Sequence, residues 1–271
     1  MNGVKPKKAL GQHFLTDMDV AQRIAATLDA YKGVPVLEIG PGTGVLTQYL
    51  LRDGHDVTVV EIDRESVEYL QEHFMPELED KILAEDFLRM DLDRVYPPEQ
   101  VPEFCIIGNY PYNISSQIFF KVLDYKDRVV CCSGMLQREV AERLAAKPGT
   151  KARGILSVLL QAWYEVEYLF TVSEKVFNPP PKVKSGVIRM TRRKGVDSIG
   201  CDEALFKTVV KTTFGQRRKT IRNSVRGLLP PGMAVPEDFP MSTRRPEQLS
   251  VEEFVELTNA VAGLRASAAK E

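Results

Sequence analysis

The sequence predicts an α/β fold, a doubly wound and mostly parallel sheet followed by a small C-terminal helical domain. Three observations point there. Short apolar runs alternate with segments of helical period, the first such run stops at a glycine-rich turn, and beyond a proline run near residue 180 the chain soon carries helical periods only. Parallel strands need helical crossovers between them, and in such sheets ligands bind outside the carboxyl ends of the strands.

Taken in order, the basic stretch from Met1 to Lys8 leads to apolar Phe14 and Leu15. Val20, Ile24, Ala25 and Leu28 then recur at helical spacing, which predicts an amphipathic first helix. Val34 to Ile39 predicts the first strand, and Val45 to Leu51 a helix leaving the glycine turn. Val57 to Ile62 gives a second strand, Arg64 to Phe74 a helix, Ile82 to Ala84 a short third strand, and Phe104 to Gly108 a fourth. Ile114 to Leu123 resumes helical spacing, and Val129 to Leu136 and Leu156 to Trp163 are further apolar segments. Asn178-Pro179-Pro180-Pro181 punctuates the chain, since consecutive prolines neither continue a helix nor donate to a ladder. Ser185 to Met190 reads as a last strand. Asp202 to Thr213, Gln216 to Leu229 and Val251 to Leu264 read as three helices, the third opened by Ser250 and Glu253 in capping-box spacing. A boundary near Lys194 divides the chain into 1–194 and 195–271.

A length of 271 residues suits one full α/β domain plus a smaller unit, and 44% hydrophobic with 27% charged residues suits a packed core. No apolar run reaches the roughly 20 residues of a membrane span, and the basic start leads into no signal-peptide core, so a cytoplasmic setting is expected. Cys105, Cys131, Cys132 and Cys201 lack CxxC or Cys/His spacing, which supports neither a metal site nor a disulfide framework. A net charge of −1 conceals an uneven distribution: from Lys182 to Arg226 thirteen basic residues face three acidic ones. So lopsided a segment favours a phosphate-binding surface over a merely solvated face.

Gly40-Pro41-Gly42-Thr43-Gly44 follows a strand and precedes a helix, where missing Cβ atoms let a ligand approach the backbone. Its GxGxG spacing leans away from the GxGxxG of dinucleotide sites. Glu61 closes the second strand about 20 residues later, where a carboxylate can accept both hydrogen bonds of a ribose diol. Asp86 follows the third strand, placed to accept from an adenine amino group. Each acid alone is an ordinary strand-end charge, but three consecutive strand ends together imply an adenosine-containing cofactor. Asn109-Tyr110-Pro111-Tyr112 ends the fourth strand. The N6 lone pair of adenine is delocalised into the ring and is a poor nucleophile. Two acceptors, the Asn109 side-chain oxygen and the Tyr110 carbonyl, would pyramidalise the amine, while Tyr112 offers a face for stacking the base. Phe177, before the proline run, is a candidate for the opposite stacking face, with core packing as its rival.

These residues together resemble the KsgA/RsmA-type small-subunit ribosomal RNA adenine N6-dimethyltransferases over nearly the whole chain. The resemblance rests on Lys8-Ala9-Leu10-Gly11-Gln12-His13-Phe14-Leu15, Glu38-Ile39-Gly40-Pro41-Gly42-Thr43-Gly44, Glu61-Ile62-Asp63, Asp86, Gly108-Asn109-Tyr110-Pro111-Tyr112-Asn113-Ile114-Ser115, Phe177-Asn178-Pro179-Pro180-Pro181-Lys182-Val183 and Phe214-Gly215-Gln216-Arg217-Arg218-Lys219-Thr220. It implies a Rossmann-like class I methyltransferase fold and S-adenosylmethionine as cofactor. That cofactor would be held by Gln12, His13, Leu15, Gly40, Gly42, Glu61, Ile62, Asp86, Phe87 and Asn109. Asn109 would be the principal catalytic residue, backed by Tyr110, Tyr112 and Phe177. It further implies dimethylation of two adjacent adenosines in a hairpin loop near the 3′ end of small-subunit (16S) rRNA, in the immature subunit. The enzyme would be a monomer without metal. Lys182, Lys184, Arg217, Arg218, Lys219 and Arg222 would grip the rRNA backbone, the last four from a basic helix. The family usually carries Leu or Ile where this chain has Tyr110, a change expected to leave the reaction intact because the backbone carbonyl is what the chemistry uses. Three alternatives remain open from sequence: a related large-subunit enzyme of the macrolide-resistance type, an assembly factor that mainly binds and checks immature subunits, and, disfavoured by the GxGxG spacing, a nicotinamide-dependent oxidoreductase.

Overall fold

The computed structural model describes residues 4–7 and 10–268; Lys8 and Ala9 of the first motif, and the first three residues of the basic start, lie outside the described residues. In chain order the elements are β1 (Phe14–Leu15), α1 (Met18–Ala25), β2 (Val36–Ile39), α2 (Thr47–Arg52), β3 (Val57–Val60), α3 (Arg64–His73), β4 (Ile82–Leu83), α4 (Leu92–Val95), β5 (Phe104–Asn109), α5 (Ser115–Asp124), β6 (Val129–Gln137) and α6 (Arg138–Leu144). Then come α7 (Ile155–Gln161), β7 (Tyr164–Val172), β8 (Phe177–Asn178), β9 (Ser185–Arg192), α8 (Glu203–Gly215), α9 (Ile221–Ser224) and α10 (Val251–Ala268).

Seven strands form one sheet in the order β4-β3-β2-β5-β6-β9-β7. The first five run parallel, and β9 is antiparallel to β6. The chain winds outward from β2 through β3 to β4, then returns to lay β5 on the other flank of β2, so the winding reverses between β2 and β5. This reversal opens the crevice in which open α/β sheets bind ligands. Both faces of the sheet are covered, which is why all four residues of β2 and Phe104 to Gly108 of β5 are buried and, Glu38 apart, read as apolar runs. Ile24, Leu28, Val36, Val59, Cys105 and Ile107 pack in one core cluster. Truncating a fully buried member such as Ile107 to alanine costs about 2–5 kcal/mol.

Local chemistry sets the element ends. The Asp17 carboxylate accepts from the Asp19 and Val20 amides and opens α1, while Asp202 does the same for α8 through Leu205. The expected capping box closes at α10: Ser250 Oγ accepts from the Glu253 amide at 3.2 Å and the Glu253 carboxylate from the Ser250 amide at 2.8 Å.

Two departures from expectation concern elements. β7 has no counterpart in the sequence reading, although Tyr164-Glu165-Val166-Glu167-Tyr168 alternates with the period of two that a half-covered edge strand shows. The helix expected over Gln216 to Leu229 is instead a turn, the single turn α9 and a 3₁₀ turn at Val225–Leu228. Thr220 is extended, and the Ile221 and Arg222 amides donate to the Arg244 and Ser242 carbonyls, so tertiary partners replace the bonds a longer helix would make.

The chain divides into two compact units. Residues up to Glu142 with Glu165–Arg192 form the first, and Arg143–Tyr164 with Arg193 onward form the second. The expected 1–194 domain therefore gives up Arg143–Tyr164. The guanidinium of Arg153, fully buried, donates to the carbonyls of Ala146 and Leu249 and to Gln161 Oε1, tying this segment to the stretch before α10. Burial pushes the Arg153 pKa down to about 10. The carbonyl partners of such a cation are invisible to any sequence pattern.

Candidate active site

The first-strand motif and the fourth-strand motif meet because β2 and β5 are neighbours in register, with Ile39 opposite Gly108. A Cβ on Gly108 would sit 2.6 Å from the Ile39 carbonyl oxygen, so glycine lets these two strands approach at the crevice. One pocket above their ends is lined by Gln12 to Leu15, Gly40 to Gly42, Glu61 and Ile62, Asp86 and Phe87, and Asn109 to Tyr112. All the residues expected to hold the cofactor thus line a single pocket.

The glycine turn works by conformation and space. Gly40 has φ +63°, a left-handed value that glycine adopts without strain, and a Cβ there would meet nothing within 4 Å. The space in front of it is pocket. The Gly42 amide donates to Glu61 at 3.1 Å, and the Asp63 amide donates to the other Glu61 oxygen at 2.9 Å. These bonds aim the carboxylate, while its burial pushes the Glu61 pKa up. Asp86 accepts from the Leu88 amide at 3.0 Å. Ile62 is 56% exposed, an apolar side chain at the pocket that a flat ring would cover, and Phe87 is buried beneath with the Lys121 ammonium over its ring.

Glu38 was not singled out from sequence. It is 1% exposed, lines the same pocket and accepts from the Thr47 hydroxyl at 2.7 Å. Desolvation raises its pKa to about 8, and the nearby Glu61 charge adds to the rise. The signal was an acid inside an apolar strand, which a buried parallel strand otherwise avoids.

The N-terminal segment covers one side of the pocket. The Lys7 ammonium pairs with the buried Asp63 carboxylate and, at 3.1 Å, with Glu65. Gln12 donates to Asp63 at 3.3 Å and accepts from the Lys7 amide at 2.7 Å. Burial works to raise the Asp63 carboxyl, but donors from Lys7, Gln12 and Ser66 outweigh it and hold the pKa below the usual carboxylate range. Further along, β1 pairs antiparallel with β8, placing Leu15 opposite Phe177.

Around the motif of the fourth strand, Asn109 Nδ2 donates to the His13 carbonyl at 3.2 Å. The Tyr110 amide is taken by the Met135 carbonyl, and its ring, 1% exposed, turns into the sheet, where its hydroxyl donates to the Ser133 carbonyl at 2.6 Å. The aromatic side chain at this position is therefore core, and the backbone is what the residue offers the pocket. Tyr112 meets Ser185 Oγ through its hydroxyl at 2.5 Å, and its ring lies 5.5 Å from the His13 ring. Phe177 does not join them. It is 4% exposed in the hydrophobic core because its strand pairing with Leu15 turns the ring inward, so the expected second stacking face is absent there.

The expected RNA-contacting residues separate into two kinds. Lys182 and Lys184 are exposed between β8 and β9, and Arg218 and Lys219 are exposed after α8. Arg217 instead donates to the Lys151 carbonyl at 2.5 Å, and Arg222 to the carbonyls of Val235 and Pro236 at 2.9 and 2.6 Å. These two guanidinium groups brace loops, as befits a group with five donors beside free carbonyls. Among the described residues no group of three or more His, Cys, Asp or Glu is arranged to hold a metal ion, and no helix is long and apolar enough to cross a membrane.

A sequence model of the family described as ribosomal RNA adenine dimethylase matches residues 3–262. The chain is 68% identical over 259 residues to ribosomal RNA small subunit methyltransferase A of Parabacteroides distasonis, covering 95% of this chain and 94% of that one. It is 62% identical over 258 residues to the protein of the same name from Porphyromonas gingivalis, covering 95% and 98%. Among solved structures it resembles a dimethyladenosine transferase from Plasmodium falciparum (TM-score 0.72, 23% identity, 90% and 96% covered). It also resembles the 23S rRNA methyltransferase ErmE (TM-score 0.65, 27% identity, 92% and 99% covered).

Proposed function

The chain belongs to the ribosomal RNA adenine dimethylase family, and from that premise we propose that it transfers methyl groups from S-adenosylmethionine to N6 of two adjacent adenosines near the 3′ end of 16S rRNA. The substrate of this reading is the immature small subunit, met by a monomeric, metal-free enzyme in the cytoplasm during subunit biogenesis. The observation that supports it is the sharing of one pocket by the Gly40 turn and Asn109. Relatives named for the small subunit are 56–68% identical to this chain, whereas ErmE is 27% identical, which favours the small-subunit target over the large.

The pocket suits the cofactor by its donor set: an open glycine cradle, a backbone-aimed buried carboxylate in Glu61, an acceptor in Asp86 and an exposed apolar side chain in Ile62. Glu61 would take the ribose hydroxyls, Asp86 the adenine amino group, and Ile62 with Phe87 the ring faces. S-adenosylmethionine, when bound, supplies an electrophilic methyl on a sulfonium. The protein's own part is positioning. Asn109 Oδ1 and the Tyr110 carbonyl accept the two N–H groups of the substrate amine, so the lone pair points along the line of displacement. Tyr112, fastened by Ser185, offers its face to the extruded base. No strong base is needed, because the nitrogen becomes acidic only as it gains the methyl.

Purified protein with labelled cofactor should methylate immature small subunits. Tight cofactor binding with no methyl transfer to those subunits would defeat the proposal.

A further inference from the structure

His13 lines the pocket and has three partners elsewhere in the chain. Its main-chain oxygen accepts from Asn109 Nδ2 at 3.2 Å, its ring Nδ1 lies 2.8 Å from the Pro179 carbonyl, and its ring lies 5.5 Å from that of Tyr112. We propose that His13 is a positioning residue for methyl transfer rather than the cofactor contact expected from sequence: its carbonyl fixes which end of the Asn109 amide faces the substrate, and its ring ties that carbonyl to the proline-run loop. The proposal rests on Asn109 serving as an acceptor for the adenine amine.

A primary amide has a donor end and an acceptor end of nearly equal shape, and packing alone distinguishes them poorly. Flipped, Asn109 would point N–H groups at the substrate's own N–H groups. A carbonyl only accepts, so the end facing His13 must be the NH₂, and Oδ1 is left for the pocket. The same logic assigns the ring: the Pro179 carbonyl also only accepts, so Nδ1 carries the hydrogen. His13 is thereby held from the loop side by its ring, while neighbouring Leu15 is held by pairing with Phe177. The carbonyl that sorts the amide is anchored at both ends of this short segment.

The test uses the full chain with His13→Leu, which keeps bulk without a donor, and His13→Asn, which keeps a donor near the position of Nδ1. Cofactor Kd is measured by calorimetric titration, and single-turnover methyl transfer to immature small subunits at saturating cofactor. His13→Leu should slow the single-turnover step about 10- to 100-fold, as expected for displaced reacting groups, with cofactor Kd moved less than about 3-fold. His13→Asn should recover most of the rate. A Kd that rises in step with the loss of rate makes His13 a cofactor contact and overturns the proposal, as does a His13→Leu rate equal to wild type or a His13→Asn rate no better than His13→Leu. Failure of the wild-type protein on the same subunits would instead strike the proposed function, so the two failures are distinguishable.

Discussion

Asn109 and Glu38 are polar side chains in one crevice with opposite duties. The NH₂ of Asn109 is engaged by the His13 carbonyl, which leaves its oxygen as the acceptor of the proposed reaction, so under that proposal its contribution belongs to the transfer step rather than to cofactor binding. Asn109→Ala should lower kcat about 100-fold or more while shifting cofactor Kd only a few-fold, read by steady-state kinetics beside a binding titration. A loss of affinity as large as the loss of rate would remove Asn109 from its assigned role. Glu38 is buried and holds its proton up to about pH 8, whereas an unfolded chain releases it near pH 4.5. Between those values the unfolded state is the more deprotonated, so rising pH favours unfolding, and above about 8 the effect is complete. Urea unfolding of wild type and Glu38→Gln should therefore diverge, the wild type losing at most about 5 kcal/mol relative to the variant between pH 4.5 and 8. Parallel pH profiles for the two proteins would show that Glu38 is not the titrating group.

At the scale of elements, the pocket is closed on one side by a segment with little regular structure of its own. The stretch from Lys7 to Leu15 is secured by ion pairs of Lys7 with Asp63 and Glu65, by Gln12 on Asp63, and by the β1–β8 pairing. Because the Asp63 amide also orients Glu61, the covering segment and the proposed ribose acceptor share one anchor. Asp63→Asn keeps that amide and removes the charge, and should weaken cofactor binding about 3- to 10-fold, a modest effect because Lys7 is partly exposed and screened. Lys7→Ala should match it, and the wild-type advantage should shrink as salt is raised in the titration. Cofactor affinity indifferent to both changes would show that backbone pairing alone holds the segment. Most elements were legible because amphipathic period and glycine or proline punctuation are local signals. β7 and the broken 216–229 segment were not, since an edge strand and a helix interrupted by distant carbonyls depend on partners elsewhere in the chain.

Across the whole molecule, formal charge is nearly balanced, yet exposed basic clusters occur in both units: Lys182 and Lys184 in one, Arg218 and Lys219 in the other. Replacing Lys182 and Lys184, or Arg218 and Lys219, by glutamine should weaken RNA binding without changing cofactor Kd. Each lost phosphate contact should flatten the slope of log affinity against log salt by about 1. Arg217→Gln and Arg222→Gln should act through stability instead, lowering the unfolding midpoint because both guanidinium groups brace backbone carbonyls. An unchanged midpoint with a reduced salt slope would return these arginines to the RNA surface.

The sequence by itself determined the doubly wound α/β class, the glycine turn, the strand-end acids and the asparagine motif, because each is written in residues close together and governed by local geometry. It also named a family, through motifs spread along nearly the whole chain. Only the tertiary structure decided which candidates work together. Phe177 went to the core, the Tyr110 ring turned into the sheet, Arg217 and Arg222 became braces, and Glu38 joined the pocket. The physical reason is that a side chain's role depends on what it faces after folding: a carbonyl 66 residues away can claim an arginine, and a neighbouring strand can turn an aromatic ring inward.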